Sequence, residues 1–206
     1  DYMSRNIIAI LRGVTPDEAV PITQCLIRKG ITKIEIPLNS PNPFESIKNI
    51  KFDCKDLETL GAGTVLNVKD VELASEAGCN FIFSPNCNTD VIKETKNRKL
   101  ISIPGIMTPT EAFTALDAGA DAIKLFPAHI VTQQGLKSIL AVLPSKTKIY
   151  VVGGIETKDM ASWLVNGAFG FGIGSTLYKP GYNTDKIEKN AAEIIRQYDL
   201  GITNLS

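Results

Sequence analysis

The sequence predicts an α/β fold in which eight parallel strands and eight helices close into one (β/α)8 barrel, a TIM barrel forming a single domain over residues 1–206. Three observations carry this expectation. A short β-branched run, a helix-capping loop and an amphipathic segment recur in strict alternation eight times along the chain. Alternation without hairpins demands a parallel sheet, because parallel neighbours need a long crossover between them. Eight units of about 25 residues lie near the lower size limit of the closed barrel. An open doubly wound sheet is the alternative architecture.

The first strand is expected at 7–12, and the helix behind it opens at Thr15, where Pro16 takes the first helical position and Glu18 completes a capping box. Gly30 ends that helix with the left-handed cap needed to turn back toward the sheet. The second strand is 33–38, Lys-Ile-Glu-Ile-Pro-Leu. The third, 59–65, contains Gly61-Ala62-Gly63, which lacks the third glycine of a dinucleotide fingerprint. Asn67 starts the next helix and Gly78 stops it. Strand four is 81–85 and strand five 101–106, followed by a second capping box at Thr108 and Glu111 and a stop at Gly119. Strand six is 122–127, Ala-Ile-Lys-Leu-Phe-Pro. Strand seven, 148–153, leads to a helix that Gly167 ends, and strand eight is 170–174.

A chain of 206 residues with 44% hydrophobic content has core enough for an enzyme. Its 22 basic and 22 acidic residues cancel, and no segment concentrates basic side chains, which argues against nucleic acid as a partner. No apolar run approaches membrane-spanning length, and the first six residues lack the character of a secretory signal. Met3 reads as the native start, with the two residues before it carrying no function. Cys25, Cys54, Cys79 and Cys87 form no C-x-x-C pair, and the single histidine, His129, lies far from them in sequence, so no metal site is expected. Cys25 and Cys79 read as small buried core residues, and the cysteine usage points to a reducing cytoplasm.

The informative anomaly is Lys124. Period-two alternation places Ala122, Lys124 and Phe126 on one face of strand six and Ile123 and Leu125 on the other. A lone ammonium inside a barrel costs several kcal/mol unless it is paired or sheds its proton. A neutral amine in a shaped site is a nucleophile, and with a carbonyl it forms a Schiff base. Glu35, between two isoleucines that must face helices, points into the same interior, either as an acid and base or as the partner in a buried ion pair.

Side chains at the carboxyl ends of barrel strands face the catalytic mouth. That rule collects Arg12, Asn39, Thr64, Pro85, Gly153, Gly154, Gly174 and Ser175. Arg12 suits a carboxylate or phosphate, against the alternative of a solvated loop arginine. The glycine pairs ending strands seven and eight permit close approach of an anion to backbone N–H groups, against the alternative of ordinary turn chemistry. Trp163 and Phe126 read as core or pocket wall, and His129 as a surface loop residue.

The motifs Ile-Leu-Arg-Gly, Glu-Ile-Pro-Leu-Asn-Ser, Gly-Ala-Gly-Thr-Val, Ser-Pro-Asn, Lys-Leu-Phe-Pro, Val-Gly-Gly-Ile and Gly-Ile-Gly-Ser stand in the order found in the 2-keto-3-deoxy-6-phosphosugar aldolases. Over nearly its whole length the chain resembles that class I family. The resemblance implies Lys124 as the Schiff-base former, Glu35 as acid and base, and Arg12 and Thr64 as binders of the pyruvoyl portion. It also implies Pro85 and Phe126 as pocket walls and Gly153, Gly154, Gly174 and Ser175 as the phosphate cradle. Asn39 and Val152 stand where the gluconate branch usually has arginine and threonine, a pattern that resembles the galactonate branch. The implied ligands are a phosphorylated 2-keto-3-deoxy sugar acid and pyruvate, with no metal or organic cofactor, and the implied assembly is a homotrimer. The competing readings are the gluconate epimer, with or without 4-hydroxy-2-oxoglutarate, an isomerising or ring-closing phosphosugar barrel, and a non-catalytic phosphosugar-binding protein.

Overall fold

Nine short strands alternate with eight α-helices along residues 5–205, the part of the chain that the computed structural model describes. The reading of Met3 as the native start lies outside these residues. The strands are β1 (Ile7–Ile10), β2 (Lys33–Pro37), β3 (Thr59–Gly63), β4 (Phe81–Phe83), β5 (Ile101–Ile103), β6 (Gly105–Ile106), β7 (Ile123–Leu125), β8 (Ile149–Val152) and β9 (Gly170–Ile173). The helices are α1 (Pro16–Lys29), α2 (Pro43–Asp53), α3 (Val68–Ala77), α4 (Thr89–Asn97), α5 (Pro109–Asp117), α6 (Ala128–Leu140), α7 (Met160–Val165) and α8 (Thr184–Thr203).

All pairings are parallel, in the order β5-β4-β3-β2-β1-β9-β8-β7-β6. The expected fifth strand is the one that departs from the sequence reading. Pro104 has no N–H to give to a ladder, so 101–106 splits into β5, which pairs with β4, and β6, which pairs with β7. The carbonyls of Ser102 and Pro104 still accept from Asp121 N at 3.0 Å and Lys124 N at 2.8 Å. The two ends of the sheet are therefore one interrupted strand, and the barrel closes through it.

Alternation sorts the hydrophobic residues into two cores. Ile34, Ile36, Ile123 and Leu125 face outward and are fully buried against the helices. Ile8, Ile10, Phe81, Phe83, Tyr150 and Val152 face inward. Inside, Phe83 meets Phe81 and Tyr150 edge to face at centroid separations of 6.3 and 6.4 Å. The Phe81 ring occupies the space where a side chain on Gly61 would stand. Gly61 thus serves aromatic packing in a narrow barrel and no nucleotide.

Local signals place the helices. Thr108 Oγ1 accepts from Glu111 N at 3.3 Å, while the Glu111 carboxylate accepts from the Met107 and Thr108 amides at 2.8 and 2.9 Å. Those bonds hold the Glu111 carboxyl below its ordinary range. At Thr15 the Glu18 carboxylate accepts from the backbone N–H and the hydroxyl, and Asn67 caps α3 by accepting from Asp70 N. Gly30, Gly78, Gly119 and Gly167 adopt the left-handed conformation expected of helix stops. Helix α7 is preceded by a 3-10 turn at Thr157–Asp159, and α6 breaks at Thr132, whose φ is 69°.

Cys25, Cys54 and Cys79 are buried, Cys87 is half-buried, and all four are free thiols. Burial pushes the Cys79 thiol up to about 12, which leaves it protonated and inert, as expected of a small core residue. Trp163 is buried in the outer core. Among the described residues no helix is long and apolar enough to cross a membrane.

Replacing Thr108 with alanine removes one helix cap and is expected to cost about 1 kcal/mol, lowering the melting temperature by about 2–4 °C for a chain of this size. A thermal melt that overlays the parent curve would show that the box contributes nothing.

Candidate active site

Two buried ionisable side chains, Glu35 and Lys124, enter the barrel interior from strands far apart in the sheet order, while a third, Lys33, lies two residues before Glu35 and pairs with Glu58 at 3.1 Å. Glu35 lies on β2 between β1 and β3, in register with Ile10 and Gly61. Lys124 lies on β7, in register with Gly105 and Tyr150. Their relative exposures are 1% and 4%. The Glu35 carboxylate rests directly over Gly63, where any side chain would overlap it, so the absence of a Cβ there makes room for the acid. Its Oε2 is buried without a hydrogen-bond partner.

No nitrogen–oxygen contact within 4.0 Å joins the two groups. The buried ion pair considered from sequence is absent. Instead Lys124 Nζ stands 4.4 Å from the centroid of the Phe83 ring and 4.9 Å from that of Phe126. Burial raises the Glu35 carboxyl to about 7, opposed by the positive charges of Lys124 and Arg12. Burial likewise lowers the Lys124 ammonium to about 8, opposed by Glu35 and aided by Arg12. Desolvation outweighs mutual attraction at both groups, because neither is close enough to the other to recover its lost hydration.

Arg12 leaves the end of β1 and reaches over the mouth. Its Nη1 donates to Asn39 Oδ1 and to Thr64 Oγ1, the latter at 3.3 Å. Thr64 holds a left-handed φ of 54°, and its N–H donates to Phe83 O at 3.3 Å. That conformation costs a β-branched residue about 1–3 kcal/mol and is found mainly where a site demands it. Three loops thereby aim one guanidinium across the barrel opening.

Beside Arg12 lies a cavity of about 430 Å³. Phe126, Val152, Gly153, Gly154, Gly174 and Ser175 line it together with Arg12, so seven of the residues chosen from sequence meet at one opening. Gly153 and Gly154 have φ of 93° and 71°, and a Cβ on Gly154 would lie 2.7 Å from the His129 side chain. Asn39 and Thr64 join the opening through their bonds to Arg12 and do not line it.

Pro85, like Lys124 and Glu35, does not line this cavity, and its carbonyl packs against the backbone of Gly105 where β4 approaches the interrupted strand. One sequence expectation changes. His129 is exposed as expected, yet it sits on α6 rather than in a loop, with its N–H donating to Gly153 O at 3.1 Å. Sequence reasoning did not find Gly63, Phe83, Gly13 or Lys179. Gly63 was visible only as part of a glycine pair, and Lys179 as one charge in the turn Tyr-Lys-Pro-Gly.

The family model "Aldolase: KDPG and KHG aldolase" matches residues 2–204. The chain is 41% identical over 192 residues to the 2-dehydro-3-deoxy-6-phosphogalactonate aldolase of Escherichia coli K12, covering 93% of this chain and 94% of that protein. It is 34% identical over 150 residues to the 2-dehydro-3-deoxy-phosphogluconate aldolase of Zymomonas mobilis, covering 72% and 71%. A solved structure described as native KDPGal superposes with a TM-score of 0.95 at 39% identity, over 98% of both chains. With its match running nearly end to end, its barrel superposing on that structure and a buried amine inside it, this chain belongs to the KDPG and KHG aldolase family.

Proposed function

We propose that the protein is a class I aldolase that cleaves 2-dehydro-3-deoxy-6-phosphogalactonate to pyruvate and glyceraldehyde 3-phosphate. The observation that carries the reading is the buried amine of Lys124, shifted toward neutrality and separated from the one carboxylate that would otherwise fix it as an ammonium. Neutral Lys124 adds to the C2 ketone, and loss of water gives an iminium. Glu35 moves the protons of carbinolamine formation and then takes the C4 hydroxyl proton as the C3–C4 bond breaks. The bonding electrons pass into the iminium, glyceraldehyde 3-phosphate leaves, and an enamine remains. Protonation at C3 and hydrolysis release pyruvate and restore the amine. The iminium is the electron sink, so the scheme calls for no metal or organic cofactor.

In this reading Arg12, steadied by Asn39 and Thr64, meets the substrate carboxylate, and the glycines and Ser175 of the cavity meet the phosphate. Phe126 walls the site. Pro85 shapes it indirectly through its contact with Gly105. Val152 offers methyl groups where a threonine would hydrogen-bond a substrate hydroxyl, which supports the galactonate over the gluconate epimer, as do the names of the relatives at 41% identity. The family supports a homotrimer, and the four free thiols support a reducing cytoplasm.

Borohydride reduction in the presence of pyruvate is expected to attach a pyruvyl adduct to Lys124, detected by peptide mass, and Lys124→Met should abolish both the adduct and turnover. An isomerase or a non-catalytic binding barrel would show no adduct, and cleavage by the methionine variant near the parent rate would refute the mechanism. In an assay of both phosphorylated epimers, kcat/KM should favour the galactonate by about 10-fold or more. A gluconate preference would move the protein to the other branch.

The carboxyl of Glu35 also links to stability. Its value rises from 4.5 unfolded to about 7 folded, so the native state binds the extra proton between those limits and loses stability as pH rises through them. For Lys124, lowered from 10.5 to about 8, stability returns as pH rises between those values, where the unfolded chain holds the extra proton. Urea unfolding from pH 4.5 to 7 should therefore show declining stability in the parent and little decline in Glu35→Gln. Equal slopes would mean that the buried carboxylate is not the source.

A further inference from the structure

The cavity beside Arg12 is asymmetric in charge. Its lining carries two cations, Arg12 and Lys179, and no carboxylate. Arg12 is already engaged by Asn39 and Thr64 on the β2 and β3 side of the mouth. The exposed Lys179 side chain, on the β9–α8 side of the same cavity, has no hydrogen-bond or ion-pair partner among the described residues. A barrel that binds a ligand anionic at both ends needs a positive group at each, and backbone amides at the glycines supply only partial charges.

We infer that Lys179 is the cation that holds the substrate phosphate, completing with its ammonium a cradle whose floor is Gly153, Gly154 and Ser175. The inference rests on the aldolase reading and adds to it a specificity-determining residue on the β9–α8 loop. The loop is built to hold that lysine at the rim. Tyr178, at 3% exposure, anchors it in the core. Asn190 Nδ2 donates to Leu177 O at 3.0 Å, and Tyr182 N donates to Lys179 O at 3.0 Å, closing a turn. Pro180 packs on Gly13, where a Cβ would come within 2.7 Å of its ring and where φ is 85°, so the turn after β1 and the turn bearing Lys179 are locked together. A lysine here acts as a flexible point charge, suited to a phosphate whose oxygens are already oriented by main-chain donors. Arg12, a planar fork pinned by two acceptors, is suited to the carboxylate.

The test uses the full chain and compares parent, Lys179→Ala and Lys179→Arg. In Lys179→Ala, kcat/KM for the phosphorylated substrate should fall about 10-fold or more, mainly through KM, as expected for loss of a charged hydrogen bond. Competitive inhibition by inorganic phosphate should weaken by a similar factor. Lys179→Arg should recover most of both. The unphosphorylated 2-keto-3-deoxy acid and borohydride trapping of pyruvate should be unchanged, because neither involves phosphate. Parent-like kcat/KM in Lys179→Ala overturns the inference, as does a parallel loss of pyruvate trapping, which marks a structural defect. If the parent itself traps no pyruvate, the aldolase reading falls. Calorimetric titration of inorganic phosphate into parent and Lys179→Ala then decides the role of Lys179 separately, with equal affinities refuting it.

Discussion

Two ionisable groups share one low-dielectric barrel without touching, and the rest of the site is arranged around that constraint. Were Glu35 and Lys124 in contact, each would hold the other in its charged form, and the amine would be an ammonium at neutral pH. Their separation lets desolvation dominate, drawing the acid up to about 7 and the base down to about 8. Their titrations belong to the pair.

The packing below and beside these groups enforces the separation. Phe83 stands under the lysine and is itself braced by Phe81 and Tyr150. Gly63 leaves the pocket over which the Glu35 carboxylate lies. The aromatic faces exclude water and lend a modest attraction to the ammonium, on the order of 1 kcal/mol, too little to reverse the desolvation. The inner core thus both closes the base of the barrel and sets the chemistry at its mouth.

The mouth carries two kinds of hydrogen-bond donor. On one side a guanidinium is fixed by Asn39 and Thr64, the latter in a strained backbone conformation. On the other, left-handed Gly153 and Gly154 and the hydroxyl of Ser175 offer hydrogen bonds, with Lys179 at the rim. The amine stands 4.9 Å from the centroid of the Phe126 ring, which also lines the cavity.

Much of this was legible in the chain itself, because it depends on local chemistry. Capping boxes at Thr15 and Thr108, glycine stops and alternating β-branched runs specify where helices and strands begin and end without reference to distant residues. Lys124 stood out for the same reason, as one charge among aliphatic neighbours on a period-two run. What the chain could not reveal are contacts between residues far apart in sequence. The split of the fifth strand at Pro104 depends on two different neighbours, the overlap of Gly63 with Glu35 on the spacing of two strands, and the placing of Lys179 in the same cavity as Arg12 on a turn that packs against Gly13. Sequence alone determined the barrel and the amine buried inside it, since periodicity and caps act within a few residues. Only the folded barrel decided that amine and acid stay apart and that Arg12 meets Asn39 and Thr64, since those are distances set by closure of the sheet.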